Sequence, residues 1–119
     1  MTYPWLRVLA ALAVLAAPVA AHAHAILIKS DPAIDAAVKA GPIRIELRYN
    51  SRIDATRSLL TLRRPDQTQS TLPIEPGKYQ DTLAASTDLP QGDYVLRWQV
   101  LAIDGHITRG DVPFTVTGP

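Results

Sequence analysis

The chain has 119 residues, which is the size of a single domain. It contains no cysteine, so disulfide bonds, thiolate metal sites and a cysteine nucleophile are excluded. The 12 Lys and Arg residues nearly balance the 11 Asp and Glu residues, which leaves a net charge of +1. This balance provides neither the basic surface that nucleic-acid binding requires nor a polybasic membrane tether.

Residues 1–23 have the layout of a secretory signal peptide. A single basic residue, Arg7, precedes an apolar run that is interrupted at Pro18 and followed by small residues. A transmembrane anchor would need about 20 consecutive apolar residues to cross the bilayer. Because the run is shorter than that, export followed by removal of the segment is the favoured interpretation.

The segment ends in Ala21-His22-Ala23, which matches the small-residue motif of a cleavage site. We expect cleavage after Ala23, so that the mature domain comprises residues 24–119 and begins with His24. Cleavage after Ala21 is the alternative, and it would make His22 the first residue. Either product is an exported chain that begins with histidine.

Apolar and polar residues alternate along much of the mature chain. The clearest run is 42–49, where every second residue from Ile43 to Tyr49 is apolar and the residues between are charged. This period of two is typical of a strand with one buried face. Further strands are predicted at 25–30, around Leu60 and Leu62, at 92–101, and at 112–116.

Turn-forming dipeptides separate these runs. They are Asp31-Pro32, Gly41-Pro42, Pro65-Asp66, Pro76-Gly77, Pro90-Gln91 and Asp104-Gly105. The only segment with any helical character is 33–39, for which we expect one helical turn at most. Short strands separated by regular turns predict an all-β sandwich or barrel of about seven strands with Greek-key connections.

Two histidines of the mature chain have neighbours suited to metal binding. His24 would carry an imidazole and a free α-amine, and an α-amine loses its proton near pH 7.7–8.0. Asp104 and His106 follow the strand 92–101 and are separated by Gly105, so a tight turn can bring carboxylate and imidazole together.

Two imidazoles, one amine and one carboxylate oxygen form a set of three nitrogen donors and one oxygen donor. Such a set suits tetragonal Cu(II), which also has the highest affinity in the divalent series. Zinc would accept the same atoms in a tetrahedral arrangement. Asp-Gly is also a common turn dipeptide, so a plain structural turn without metal is the alternative.

The mature chain resembles the CopC-type periplasmic copper proteins. The resemblance is carried, in order, by His24-Ala25-x-Leu27-x-x-Ser30-x-Pro32-Ala33, Gly92-Asp93-Tyr94-x-Leu96-Arg97-Trp98-x-Val100, Asp104-Gly105-His106, Gly110 and Phe114-Thr115-Val116. It spans the whole mature chain. The opening motif together with the segment from Trp98 to His106 is more specific than either part alone.

This resemblance implies an immunoglobulin-like β-sandwich that binds one Cu(II) ion per chain in the periplasm. The ligands it implies are His24, through its amine and imidazole, together with Asp104 and His106. The implied function is that of a non-enzymatic, monomeric copper carrier or buffer in copper homeostasis or resistance. Any membrane partner, such as an inner-membrane copper-transport protein, would be a separate chain.

One departure from the family is informative. Several members hold Cu(I) in a methionine-rich loop, whereas the only methionine of this chain is Met1. Thioether sulfur is the soft ligand that Cu(I) favours. A Cu(I) site of that kind is therefore not expected here.

Two other functions remain as alternatives. Copper held by an N-terminal histidine and a second histidine also occurs in oxidative polysaccharide-cleaving enzymes, which need a flat aromatic surface for the glycan. Most aromatic residues of the mature chain are predicted to be buried, and Asp104 would stand where oxygen must bind. The other alternative is a metal-free β-sandwich that serves adhesion or assembly.

Overall fold

The computed structural model describes residues 24–118, in which all regular secondary structure is β-strand. The strands are β1 (Leu27–Asp31), β2 (Ala37–Lys39), β3 (Gly41–Tyr49), β4 (Ile53–Arg63), β5 (Gln69–Leu72), β6 (Glu75–Pro76), β7 (Thr82–Leu89), β8 (Gly92–Ala102) and β9 (Ile107–Thr117). No helix long and apolar enough to cross a membrane occurs in this part of the chain. The predicted signal peptide, 1–23, lies outside the described residues.

The strands form two sheets. One has the order β1-β3-β7-β6 and the other the order β2-β9-β8-β4-β5. The chain changes sheet five times, between β1 and β2, β2 and β3, β3 and β4, β5 and β6, and β7 and β8, so sequential strands are split between the two layers. The Tyr94 hydroxyl donates to the Pro90 carbonyl at 2.8 Å, a tyrosine corner typical of Greek-key sandwiches. The predicted β-sandwich is confirmed.

The core lies between the sheets and follows the predicted alternation. In β3, Ile43, Ile45, Leu47 and Tyr49 are buried while the intervening residues are exposed. The facing sheet contributes core residues from four strands, which are Leu60, Leu62, Leu72, Tyr94, Leu96, Trp98, Val100, Ala102, Val112, Phe114 and Val116. Burial of these side chains supplies the main stabilisation of a domain that has no disulfide.

Two strands could not be predicted from the sequence. In segment 33–39, for which one helical turn at most is expected, the Ala36 amide donates to the Ala33 carbonyl at 3.0 Å in a single tight turn, and Ala37–Lys39 then pairs in parallel with β9. Strand β7 has no clear alternation, since Leu83, Ala84 and Ala85 are buried consecutively between β3 and β6. With β7 and the short strands β2, β5 and β6, the total is nine rather than about seven.

Candidate metal centre

The hairpin between β8 and β9 carries the predicted Asp-Gly-His turn at its tip. The Ala102 amide donates to the His106 carbonyl at 2.8 Å, and the Gly105 amide donates to the Ala102 carbonyl at 2.9 Å. Gly105 has a φ of 89°, in the left-handed region that glycine adopts without strain. These bonds close the turn and leave Asp104 and His106 exposed at one end of the sandwich.

Asp104 holds His106 through two hydrogen bonds. Its Oδ1 accepts the His106 amide at 3.0 Å, and its Oδ2 lies 2.8 Å from His106 Nδ1. The bond from the backbone amide of His106, followed by that from its ring, lowers the pKa of Asp104 below its usual range. An ionised carboxylate only accepts hydrogen bonds, so Nδ1 is the protonated nitrogen and a neutral ring keeps its lone pair on Nε2.

The imidazole of His24 lies against that of His106. The ring centroids are 4.6 Å apart and the ring planes meet at 78°. His24 is half-buried, whereas the side chain of His106 is 61% exposed. The fold therefore brings together all three residues that the sequence singled out, although His24 and His106 are far apart in the chain.

The three side chains do not by themselves form a metal site. Within residues 24–118, no group of three or more His, Asp or Glu side chains is arranged to hold a metal ion. The two imidazoles fit Cu(II) or Zn(II) in chemical type, but a further donor is needed. The backbone nitrogen of His24 becomes an amine donor only when the preceding peptide bond is cut.

The segment before β1 is held by the side chain of Thr108 and by both the side chain and the backbone nitrogen of Asn50. Thr108 Oγ1 donates to the Ala25 carbonyl at 2.8 Å. The Ile26 amide donates to Asn50 Oδ1 at 2.8 Å, and the Asn50 amide donates to the Ile26 carbonyl at 3.0 Å. Neither Asn50 nor Thr108 stands out in the sequence, because both act on residues distant in the chain and neither belongs to a motif.

Trp98 lies in the core on β8, the strand that leads into the turn. Its ring is 5.2 Å from that of Tyr49 in an edge-to-face arrangement. On the neighbouring strand it pairs with Gly110, and a Cβ at that position would lie 2.6 Å from Trp98 Cε2. A side chain at position 110 would therefore collide with the indole of Trp98.

Comparison with known proteins identifies relatives over most of the described chain. The family model of the CopC domain matches residues 27–117, a range that includes Asp104 and His106. Protein YobA of Escherichia coli (strain K12) is 32% identical over 100 residues, which cover 81% of this chain and 79% of YobA. Copper transport protein CutJ of Bacillus subtilis (strain 168) is 24% identical over 103 residues, covering 83% of this chain. The match spans only 19% of CutJ, about a fifth of its length.

Solved structures share the sandwich. The crystal structure of PcoC, a methionine-rich copper resistance protein from Escherichia coli, has a TM-score of 0.66 at 27% identity and covers 80% of this chain and 100% of PcoC. The crystal structure of CopC from Methylosinus trichosporium OB3b has a TM-score of 0.71 at 24% identity, covering 80% of this chain and 95% of that protein. The similarity to this second structure is evidence for a shared fold.

Proposed function

Because this chain belongs to the CopC family, we propose that its mature form is a periplasmic Cu(II)-binding protein that carries or buffers copper. The family match and the likeness to a copper resistance protein support a role in copper binding or copper resistance. The protein acts as a monomer without catalysing a reaction, and copper is its cargo. A separate inner-membrane copper-transport protein is the proposed partner.

The observation that carries this proposal is the contact between His24 and His106, whose ring centroids are 4.6 Å apart. The proposed ligands of one Cu(II) ion are the imidazole and α-amine of His24, the Nε2 atom of His106 and a carboxylate oxygen of Asp104. Nitrogen and oxygen donors of this kind suit Cu(II). The carboxylate also orients His106, as second-shell partners of ligating histidines commonly do.

Export completes this ligand set. Residues 1–23 serve as a signal peptide in the proposal, and cleavage after Ala23 turns the amide nitrogen of His24 into an amine. An amide nitrogen that keeps its proton has no usable lone pair, whereas an amine binds a metal once it has lost its proton. The precursor therefore lacks one of the four proposed donors and should bind Cu(II) much more weakly than the processed protein.

The burial of the aromatic residues supports a binding role over the enzymatic alternative. Within residues 24–118, Tyr49, Tyr94, Trp98 and Phe114 are buried, and Tyr79 is the one exposed aromatic side chain. A lone tyrosine does not form a flat surface on which a polysaccharide could lie. The metal-free alternative predicts no affinity for copper, so a copper titration distinguishes it from the proposal.

The test compares three N-termini, beginning at His24, Ala23 and His22, each with and without His106→Ala. We expect the His24 form to bind one Cu(II) ion, and the Ala23 form to bind much more weakly with a different EPR spectrum. The His22 form places a histidine third from the amine, so it can bind Cu(II) through backbone nitrogens independently of His106. Equal affinity and identical spectra for the His24 and Ala23 forms would contradict the proposed ligand set.

A further inference from the structure

We propose that Thr108 and Asn50 are positioning residues that hold the start of the mature chain so that His24 faces His106 before copper arrives. This inference rests on the proposed function, since it concerns how the copper site is prepared. Neither residue supplies a donor to the metal in the proposed ligand set. Their role is to fix the backbone that carries the His24 amine and imidazole.

The contact made by Thr108 links the two halves of the site. Its hydroxyl donates to the Ala25 carbonyl at 2.8 Å, one residue after His24. Thr108 itself lies two residues after His106 on β9. His106 immediately precedes β9 and Thr108 lies on that strand, so one short segment carries a proposed ligand and the hydroxyl that anchors the segment carrying the other. This arrangement couples the positions of the two imidazoles.

Ala25 and Ile26 are fixed independently of that hydroxyl. The side chain of Ala25 is 1% exposed and belongs to the core cluster. Asn50 both accepts from the Ile26 amide and donates to the Ile26 carbonyl, at 2.8 and 3.0 Å. The two residues following His24 are thus held by three hydrogen bonds and a buried methyl group before β1 begins.

This anchoring matters because chain termini are ordinarily poorly ordered. A mobile His24 would have to be immobilised when copper binds, and ordering the backbone of one residue is enough to change a binding constant by roughly ten-fold. In the structure that ordering is already achieved by folding. Preorganisation of this kind strengthens copper binding without adding a donor atom to the metal.

The experiment uses the mature protein beginning at His24 and titrates Cu(II) against a competing chelator. Thr108→Val removes the hydroxyl with little change in shape, and Thr108→Ser retains it. Thr117→Val is the matched control, since that hydroxyl donates to the Val38 carbonyl at 3.1 Å at the other end of β9. We expect about ten-fold weaker binding for Thr108→Val, near-normal affinity for Thr108→Ser, and no more than about two-fold change for the control.

Two further measurements distinguish positioning from ligation and from general damage. The Cu(II) EPR spectrum of Thr108→Val at saturation should match that of the unaltered protein, because the ligands are the same. In the metal-free protein, hydrogen exchange of the Ile26 amide should be faster in Thr108→Val and in Asn50→Ala, but not in Thr117→Val. Failure of the unaltered protein to bind Cu(II) would contradict the proposed function, and the exchange measurement would still test the anchoring. Unchanged affinity and unchanged exchange in both Thr108→Val and Asn50→Ala would overturn the inference.

Discussion

The carboxylate of Asp104 engages His106 twice, with Oδ2 2.8 Å from the ring Nδ1 and Oδ1 3.0 Å from the backbone nitrogen. The first contact orients the ring, and the second closes the turn that carries it. Each oxygen therefore has one hydrogen-bond contact before any metal binds and keeps a further lone pair, whereas the lone pair of His106 Nε2 is left for a metal. This division gives the two residues unequal parts in copper binding.

The first prediction follows from this inequality. Asp104→Ala should weaken Cu(II) binding by about 10–100-fold, the usual cost of losing a group that orients a ligating histidine. His106→Ala should weaken binding further and change the EPR spectrum, because it removes a nitrogen donor. Competition titrations of the two variants measure the difference, with Asp111→Asn as the control, since Asp111 pairs with Arg97 on the same hairpin. Equal losses for Asp104→Ala and His106→Ala would show that the assigned roles are incorrect.

The oxidation state of the bound copper provides the second prediction. The mature chain has no cysteine, and the only methionine, Met1, lies in the predicted signal peptide. Cu(I) favours thiolate and thioether ligands, so the mature protein should bind Cu(I) far more weakly than Cu(II). A competition assay with a Cu(I) chelator under reducing conditions measures this preference. Tight stoichiometric binding of Cu(I) would contradict it.

Much of the fold could be predicted because the alternation of buried and exposed positions follows from residues that are adjacent in the sequence. The alternation from Ile43 to Tyr49 defines β3 and its buried face, and both are present in the structure. Strand β7 carries small residues that are buried on both faces, so it leaves no alternation to detect. Strand β2 pairs in parallel with residues 115–117, and no local pattern encodes a partner that distant.

The candidate site shows the same division between local and distant information. His24, Asp104 and His106 could be singled out because each is chemically suited to metal binding and because the family motif contains them. Asn50 and Thr108 could not, since serving as an anchor requires only one hydroxyl or amide at the right place in space. Such residues are common in any chain, and only the fold distinguishes the two that contact Ala25 and Ile26.

The third prediction concerns pH. Imidazoles titrate near pH 6.5 and α-amines near 7.7–8.0 in model peptides, and both must be unprotonated to bind a metal. Hydrogen bonds from His106 lower the pKa of Asp104, so this carboxylate remains ionised while the nitrogen donors take up protons. Cu(II) affinity should therefore fall as the pH decreases, most steeply below about pH 6. Titrations between about pH 8 and pH 5 test this, and a constant affinity across that range would exclude nitrogen ligands of this kind.

The fourth prediction uses Trp98, which is the only tryptophan of residues 24–119. It lies on β8, the strand that ends at the metal turn, so Cu(II) bound there should quench its fluorescence. Zn(II) is the control ion, because its filled d shell makes it redox-inactive. Quenching should also be lost in His106→Ala at the same copper concentration. Unchanged emission at saturating Cu(II) would place the metal elsewhere.

The last prediction concerns the packing beneath the site. A Cβ on Gly110 would lie 2.6 Å from Trp98 Cε2 and 2.9 Å from Nε1, closer than carbon contacts allow. In Gly110→Ala the indole must therefore shift, and it would disturb the edge-to-face contact with Tyr49. Overpacking of this kind costs about 1–3 kcal/mol in the free energy of unfolding, which chemical denaturation monitored by fluorescence measures.

Gly118→Ala is the matched control for this change. Its added methyl group would meet the flexible end of the exposed Gln91 side chain, which can move aside. The control should therefore stay within about 0.5 kcal/mol of the unaltered protein. Because Trp98 lies on the strand that leads into the metal turn, Gly110→Ala should also alter the quenching by Cu(II), whereas the control should not. Equal stability of Gly110→Ala and the unaltered protein would mean that Trp98 does not lie against this glycine in solution.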